Sequence, residues 1–315
     1  MSSEREQQNL KNLELGGVPV AAEERLRAQV DRPKPFFVAN LSVNELSLMG
    51  KAGYHPAGQV MGSTIYHVGW QFGPQSLQYN PKDGLMVRPT VSAEQEVLTG
   101  AHLQARDLAL SRLQWETRLL GAHGVVGVRL ERKSYDWAAG LIEFSVIGTA
   151  IRINGEPPTD TPFLSDLSGE EFYQLWQAGY KPVAFAYGSC FWYQVAGQAT
   201  WVAQNVVFGG INNQELTDFS HAVKQARDLA MGRMEKECLA AGASGVVGVK
   251  VERQLKTVEA DGRGTNSGQN QRTDLTVRME VTGTAIARRK GTFNPPASGF
   301  AVSLLDLTLR GAARD

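Results

Sequence analysis

The amino-acid sequence predicts an α+β fold built as two similar halves, each an antiparallel sheet with one long helix. Three features carry that expectation: an internal repeat of domain length, a long amphipathic helix in each half, and two strand-like runs directly after each helix. Ala52-Gly53-Tyr54-x-Pro56 returns as Ala178-Gly179-Tyr180-x-Pro182, and Met61-Gly62-Ser63 returns as Tyr187-Gly188-Ser189. The run Gln104 to Ala109 recurs unchanged as Gln225 to Ala230. Gly121-Ala122-His123-Gly124-Val125-Val126-Gly127-Val128 matches Gly242-Ala243-Ser244-Gly245-Val246-Val247-Gly248-Val249, and Gly148-Thr149-Ala150-Ile151 matches Gly283-Thr284-Ala285-Ile286. Collinear matches this far apart predict a duplicated domain and exclude a solenoid.

Each half opens with a capping box, Ser42-x-x-Glu45 and Ser168-x-x-Glu171, whose side chains satisfy the free N–H groups at a helix start. Gly53 and Gly179 supply the left-handed residue that ends that short helix. Strand-like residues follow at 60–70 and 183–202. The long helices are expected at about 93–120 and 216–241. Ala101, Ala105, Leu108, Ala109 and Leu113 keep helical spacing on the first, and Val223, Ala226, Leu229, Ala230 and Met234 on the second. Gly121 and Gly242 close them, and the strand pairs 125–132 with 142–151 and 246–253 with 275–287 finish the halves. Gly127, Gly148, Gly248 and Gly283 lie within those strands, where a close approach of the long helix or a neighbouring subunit is the expected reason.

Prolines mark the boundaries: Pro33 and Pro35, then Pro157, Pro158 and Pro162, then Pro295-Pro296. The expected organisation is a charged segment at 1–35 forming a frayed or exposed helix, domains at 36–152 and 162–290, and a docking tail at 291–315. Val258 to Arg272 is polar and about 14 residues longer than its counterpart, which predicts a mobile hairpin tip that can be deleted without loss of assembly.

Lys+Arg and Asp+Glu are each 32 among 315 residues, and this balance argues against nucleic-acid binding. No apolar run reaches membrane-spanning length and the polar start is not a signal peptide, so a cytoplasmic protein without a membrane span is expected.

The glycine-alanine-x-x-Val-Val-Gly-Val run after a long charged helix, closed by a strand ending glycine-threonine-alanine, resembles the YbjQ family. Gly209-Gly210 before the second long helix fits the same pattern. The resemblance covers roughly 36–152 and 162–290. It implies two tandem copies of a YbjQ-like, dodecin-like domain that assembles into rings, typically pentamers, without an established activity. Members are also labelled heavy-metal-binding. The chain departs from the pattern at His123 and Ser244, where members carry Asp.

Metal and catalytic chemistry find little support. His55, His67, His102, His123, His221, Cys190 and Cys238 include no pair at ligand spacing, so no metal site is expected. No Gly-x-Ser-x-Gly elbow, Walker loop or dinucleotide fingerprint occurs, so neither an enzyme nor a cofactor is expected. Arg106-Asp107 and Arg227-Asp228 read as ion pairs on a helix surface or between subunits.

Between Lys181 and Glu215 there is no Asp, Glu, Lys or Arg, and none falls between Lys51 and Lys82. The later segment is rich in aromatics. Charge depletion with aromatic enrichment is the composition of an interface core, with a plain sheet core and a ligand or membrane surface as the alternatives. Tyr187, Phe191, Trp192, Tyr193, Trp201, Phe208, Tyr66 and Trp70 are therefore candidate interface residues, with Phe191 and Tyr193 on one strand face and Trp192 on the other. The function expected is a non-enzymatic, ring-forming homo-oligomer acting as a scaffold or binding protein, with further copies of itself and another cytoplasmic protein as the expected partners; the alternative is an oligomer with small-molecule or metal sites at subunit clefts.

Overall fold

The computed structural model describes residues 2–31, 36–68, 78–80, 85–87, 91–134, 140–204, 213–260 and 272–289. In chain order its elements are α1 (Ser2–Glu14), α2 (Val20–Val30), α3 (Val43–Lys51), β1 (Tyr54–His67), β2 (Gln78–Asn80), β3 (Leu85–Val87), β4 (Ala93–Glu94), α4 (Glu96–Leu119), β5 (Gly124–Ser134) and β6 (Leu141–Ile153). There follow β7 (Phe163–Leu164), α5 (Gly169–Gln177), β8 (Tyr180–Gln194), α6 (Gln198–Gln204), α7 (Thr217–Ala240), β9 (Gly245–Ala260) and β10 (Arg272–Arg288). The class is α+β. One four-stranded sheet has the order β1-β6-β5-β7 and the other β4-β8-β10-β9, while β2 and β3 pair by themselves.

Local chemistry places the starts and stops. Both capping boxes form: Ser42 Oγ accepts from Glu45 N–H and Ser168 Oγ from Glu171 N–H, each at 3.2 Å, and each glutamate returns a bond to its serine N–H. Gly53, Gly121, Gly179 and Gly242 all have positive φ just past their helices.

The glycines inside strands have two separate uses. Gly127 and Gly248 have φ of +62° and +65° and sit at the register shifts of β5 and β9. They belong to bulges, and no helix approaches there. Gly148 and Gly283 lie against Val125 and Val246 of the neighbouring strand, whose side chains fill the space an added Cβ would need. Helix-to-sheet approach falls instead to Gly62 and Gly188, where an added Cβ would lie 2.0 Å from the Ala109 carbonyl oxygen and 1.9 Å from that of Ala230. Alanines at 105, 109, 222, 226 and 230 complete the close contact, all fully buried.

Several boundaries differ from the sequence expectation. Residues 93–94 form β4, paired with Trp192 and Tyr193, and α4 starts only at Glu96. The expected strand at 183–202 ends at Gln194, and 198–204 is helical. The N-terminal segment is two packed helices: Leu26 and Val18 are buried, and Trp115 Nε1 on α4 donates to Glu23 at 3.0 Å. Its few apolar residues, spaced too widely for a stripe, hid that docking. β9 and β10 run on to Ala260 and from Arg272, so both ends of the expected mobile tip are strand. The rest of that tip, Trp70, Phe208, Gly209-Gly210 and the tail at 291–315 lie outside the described residues.

Candidate functional site

The contact between the two sheets is built from β8, which carries no charge after Lys181, so both of its faces can be buried. On one face Ala186, Cys190 and Trp192 pack beneath α7 in the second sheet's own core. On the other face Tyr187, Ser189, Phe191 and Tyr193 are nearly inaccessible, and Tyr187 and Phe185 join the core that holds α4, β5 and β6. Helix α4 is thus covered on two sides, by its own sheet and by the back of the next one.

Polar groups fix that contact. Phe191 N–H donates to Thr99 Oγ1 at 3.1 Å, and Gln95 N–H donates to the Phe191 carbonyl at 2.7 Å. The His102 ring lies 4.3 Å from that of Phe191, and its Nδ1 donates to the Leu98 carbonyl. Burial lowers its pKa to about 4, and its Nε2 has no hydrogen-bond partner. Arg106 is buried, lies 4.7 Å over the Tyr187 ring and donates twice to Glu237 on α7, at 2.8 and 3.2 Å. Tyr187 in turn donates to Glu280 Oε1 at 3.2 Å, and burial pushes both the phenol and that carboxyl up. Arg106 is therefore a cross-sheet anchor, whereas its sequence match Arg227 is exposed.

Below this contact lies a cavity of about 470 Å³ lined by Val128, Arg132, Phe144, Tyr187, Arg278 and Glu280, among others. Arg278 Nε and Nη1 are buried there without a hydrogen-bond partner.

Of the remaining interface candidates, Trp201 is half-buried on α6, and Tyr66 donates to Gln104 Oε1 at 2.7 Å within the first half. Tyr193 donates to the buried Asp274 at 2.7 Å. The segment that sequence matching missed lies upstream of the capping boxes. Phe37-Val38-Ala39-Asn40-Leu41-Ser42 parallels Phe163-Leu164-Ser165-Asp166-Leu167-Ser168, and the spaced Phe, Leu and Ser are its readable signal. Asn40 N–H donates to Thr149 Oγ1 at 3.0 Å and Asp166 N–H to Thr284 Oγ1 at 3.1 Å, so both segments sit alike on their own sheets.

The histidines and cysteines do not come together. His123 is saturated, Nε2 donating to the Pro157 carbonyl and Nδ1 accepting from Ile153 N–H. His55, His67 and His221 are exposed and separate. Burial, with the nearby Glu94 carboxylate, pushes the Cys190 thiol up to about 12, opposite to what a thiolate ligand needs. Among the described residues no three His, Cys, Asp or Glu side chains converge, and no helix is long and apolar enough to cross a membrane. Among the described residues, the His and Cys side chains therefore offer no converging donor set for a metal.

Residues 80–154, from the end of β2 through α4 to the end of β6, match the family model described as "Putative heavy-metal-binding". The encapsulin nanocompartment protein Rv1762c of Mycobacterium tuberculosis is 37% identical over 236 residues, which is 73% of this chain and 81% of that protein. An alignment of that length exceeds either half alone, and the chain belongs to the family of this mycobacterial nanocompartment protein.

Proposed function

We propose that the chain is a non-enzymatic building block of a cytoplasmic homo-oligomeric scaffold. In it, two tandem YbjQ-like domains per chain, at 36–152 and 162–290, stack head to tail and close into a ring of five chains. One observation carries the reading. The chain contains one finished sheet-on-helix contact, α4 against the back of β8, and the two halves of a second one left open. The face of β1 that corresponds to the buried face of β8 is bare: Met61 is 46% and Ile65 67% exposed, with Gln59, Ser63 and His67 beside them. On α7, the counterparts of Thr99 and Arg106, Ser220 and Arg227, are exposed as well. A surface that fits a different surface on the same molecule forms a heterologous contact, which closes into a ring or grows into a filament. The YbjQ resemblance favours the ring, and the relative's name as a nanocompartment protein agrees with a structural role.

The test is light scattering on the wild-type chain and on Ile65→Asp. The wild type is expected to run as an oligomer. The variant should keep its circular dichroism and dissociate, since a charge buried without a partner costs several kcal/mol. A monomeric wild type overturns the reading. A second reading is favoured by the cavity, where Arg278 pairs with Glu280 through Nη2 while its Nε and Nη1 lack a hydrogen-bond partner: a small anionic ligand held between the halves. Native mass spectrometry of protein from its own host checks it, because a retained ligand adds its mass to the chain.

A further inference from the structure

The first half receives a short strand from the second, and that contact is complete in its details. Phe163–Leu164 runs parallel to Gly124–Val125. Phe163 N–H donates to the His123 carbonyl (3.2 Å), Ser165 N–H to that of Val125 (2.9 Å), Val128 N–H to that of Ser165 (2.9 Å) and Gly127 N–H to that of Leu167 (2.8 Å). The Phe163 ring passes over Gly124, where an added Cβ would lie 2.4 Å from it. Beneath, Phe163 and Phe172 fill a core with Met49, Val126, Ile151 and Tyr54.

Among the described residues, the second half repeats the receiving site and lacks the strand. β9 is the last described strand of its sheet, and among the described residues nothing lies within 4 Å of a Cβ built on Gly245. Val249, Val251 and Leu255 are exposed along it. The core beneath consists of Leu167, Leu175, Ile286, Tyr180 and Val247. Four of these match Met49, Ile151, Tyr54 and Val126. What is missing is the pair that Phe163 and Phe172 supply in the first half. By the sequence matches that pair corresponds to Phe37 and Leu46, and both are exposed, at 42% and 38%.

We infer that residues 36–46 of a second copy of this chain complete β9. Phe37–Val38 adds as a parallel strand on Gly245–Val246, the Phe37 ring crosses Gly245, and Leu46 enters the gap beside Leu175. The Phe37 and Ala39 N–H groups donate to the Ser244 and Val246 carbonyls, and the Val249 and Gly248 N–H groups to those of Ala39 and Leu41. Edge pairing of this kind takes its affinity from main-chain bonds and its specificity from side-chain pockets. The inference rests on the head-to-tail reading above and names which strand joins the copies. Asn40 can keep its bond to Thr149 meanwhile, as Asp166 keeps its bond to Thr284 while Phe163 is donated.

The experiment uses the full chain carrying Phe37→Cys and Gly245→Cys together, oxidised at micromolar concentration and run on a non-reducing gel, with Gly245→Ala tested separately by sedimentation. Parallel neighbours lie within disulfide reach, so covalently linked chains are expected, and reductant should release them. Gly245→Ala meets open space within its own chain, so it should fold normally and weaken association about tenfold or more, the effect of overpacking a filled contact. If the wild type assembles but the double variant does not link and Gly245→Ala associates as tightly as wild type, the strand assignment is overturned and the assembly reading stands. A monomeric wild type overturns both.

Discussion

His102 shows how a residue at the contact sets the stability of the chain. Its ring is 2% exposed between Phe144 and Phe191, and burial holds it neutral with a pKa of about 4. The unfolded chain takes up this proton near pH 6.5, so between those values the unfolded state binds more protons than the native one. Stability is therefore fully present above pH 6.5 and falls as the pH drops toward 4, by about 3 kcal/mol from this residue. Urea titrations from pH 7 to 4 should show the decline, and His102→Phe should flatten it. An equal decline in the variant would assign it to other groups. Gly188 predicts a steric effect: Gly188→Ala drives a Cβ into the Ala230 carbonyl and should cost about 3 kcal/mol, whereas Gly50→Ala meets nothing and should be neutral or slightly stabilising. Thermal unfolding of the two variants checks both. The capping serines and the glycines closing the helices were legible because each acts on its own neighbours in sequence. The partner of Arg106 was not, since Glu237 lies 131 residues away and only the fold brings it near.

At the scale of elements, the matched helices α4 and α7 carry the same QARDLA run in different settings. Arg106 is buried over Tyr187, and Arg227 faces outward. Arg106→Ala should therefore destabilise the chain by about 2–4 kcal/mol through lost packing and a broken cross-sheet pair. Arg227→Ala should change unfolding of the dissociated chain by less than about 0.5 kcal/mol, as surface substitutions do. Denaturant midpoints at high dilution distinguish them, and equal losses would contradict the assigned roles. The long helices and the hairpins after them could be read from periodicity. The short strand β4 and the helices α1 and α2 could not. β4 exists only because β8 offers it an edge, and α1 and α2 are held by a few long-range contacts such as Glu23 with Trp115.

For the whole molecule, the charge-poor segments pointed to a surface that is covered, and Phe185, Tyr187, Phe191 and Tyr193 are buried at the contact between the two sheets of one chain. The segments did not say which surface meets which. That depends on layering: α4 lies between two sheets, while α7 and the back of β1 each have one side uncovered. On the proposed reading these two open surfaces complement each other and not themselves, so the assembly it predicts is head to tail. The most direct test of this account is the native mass of the wild-type protein at micromolar concentration. The account predicts five times the 34.3 kDa chain, and a single species at 34.3 kDa would contradict it.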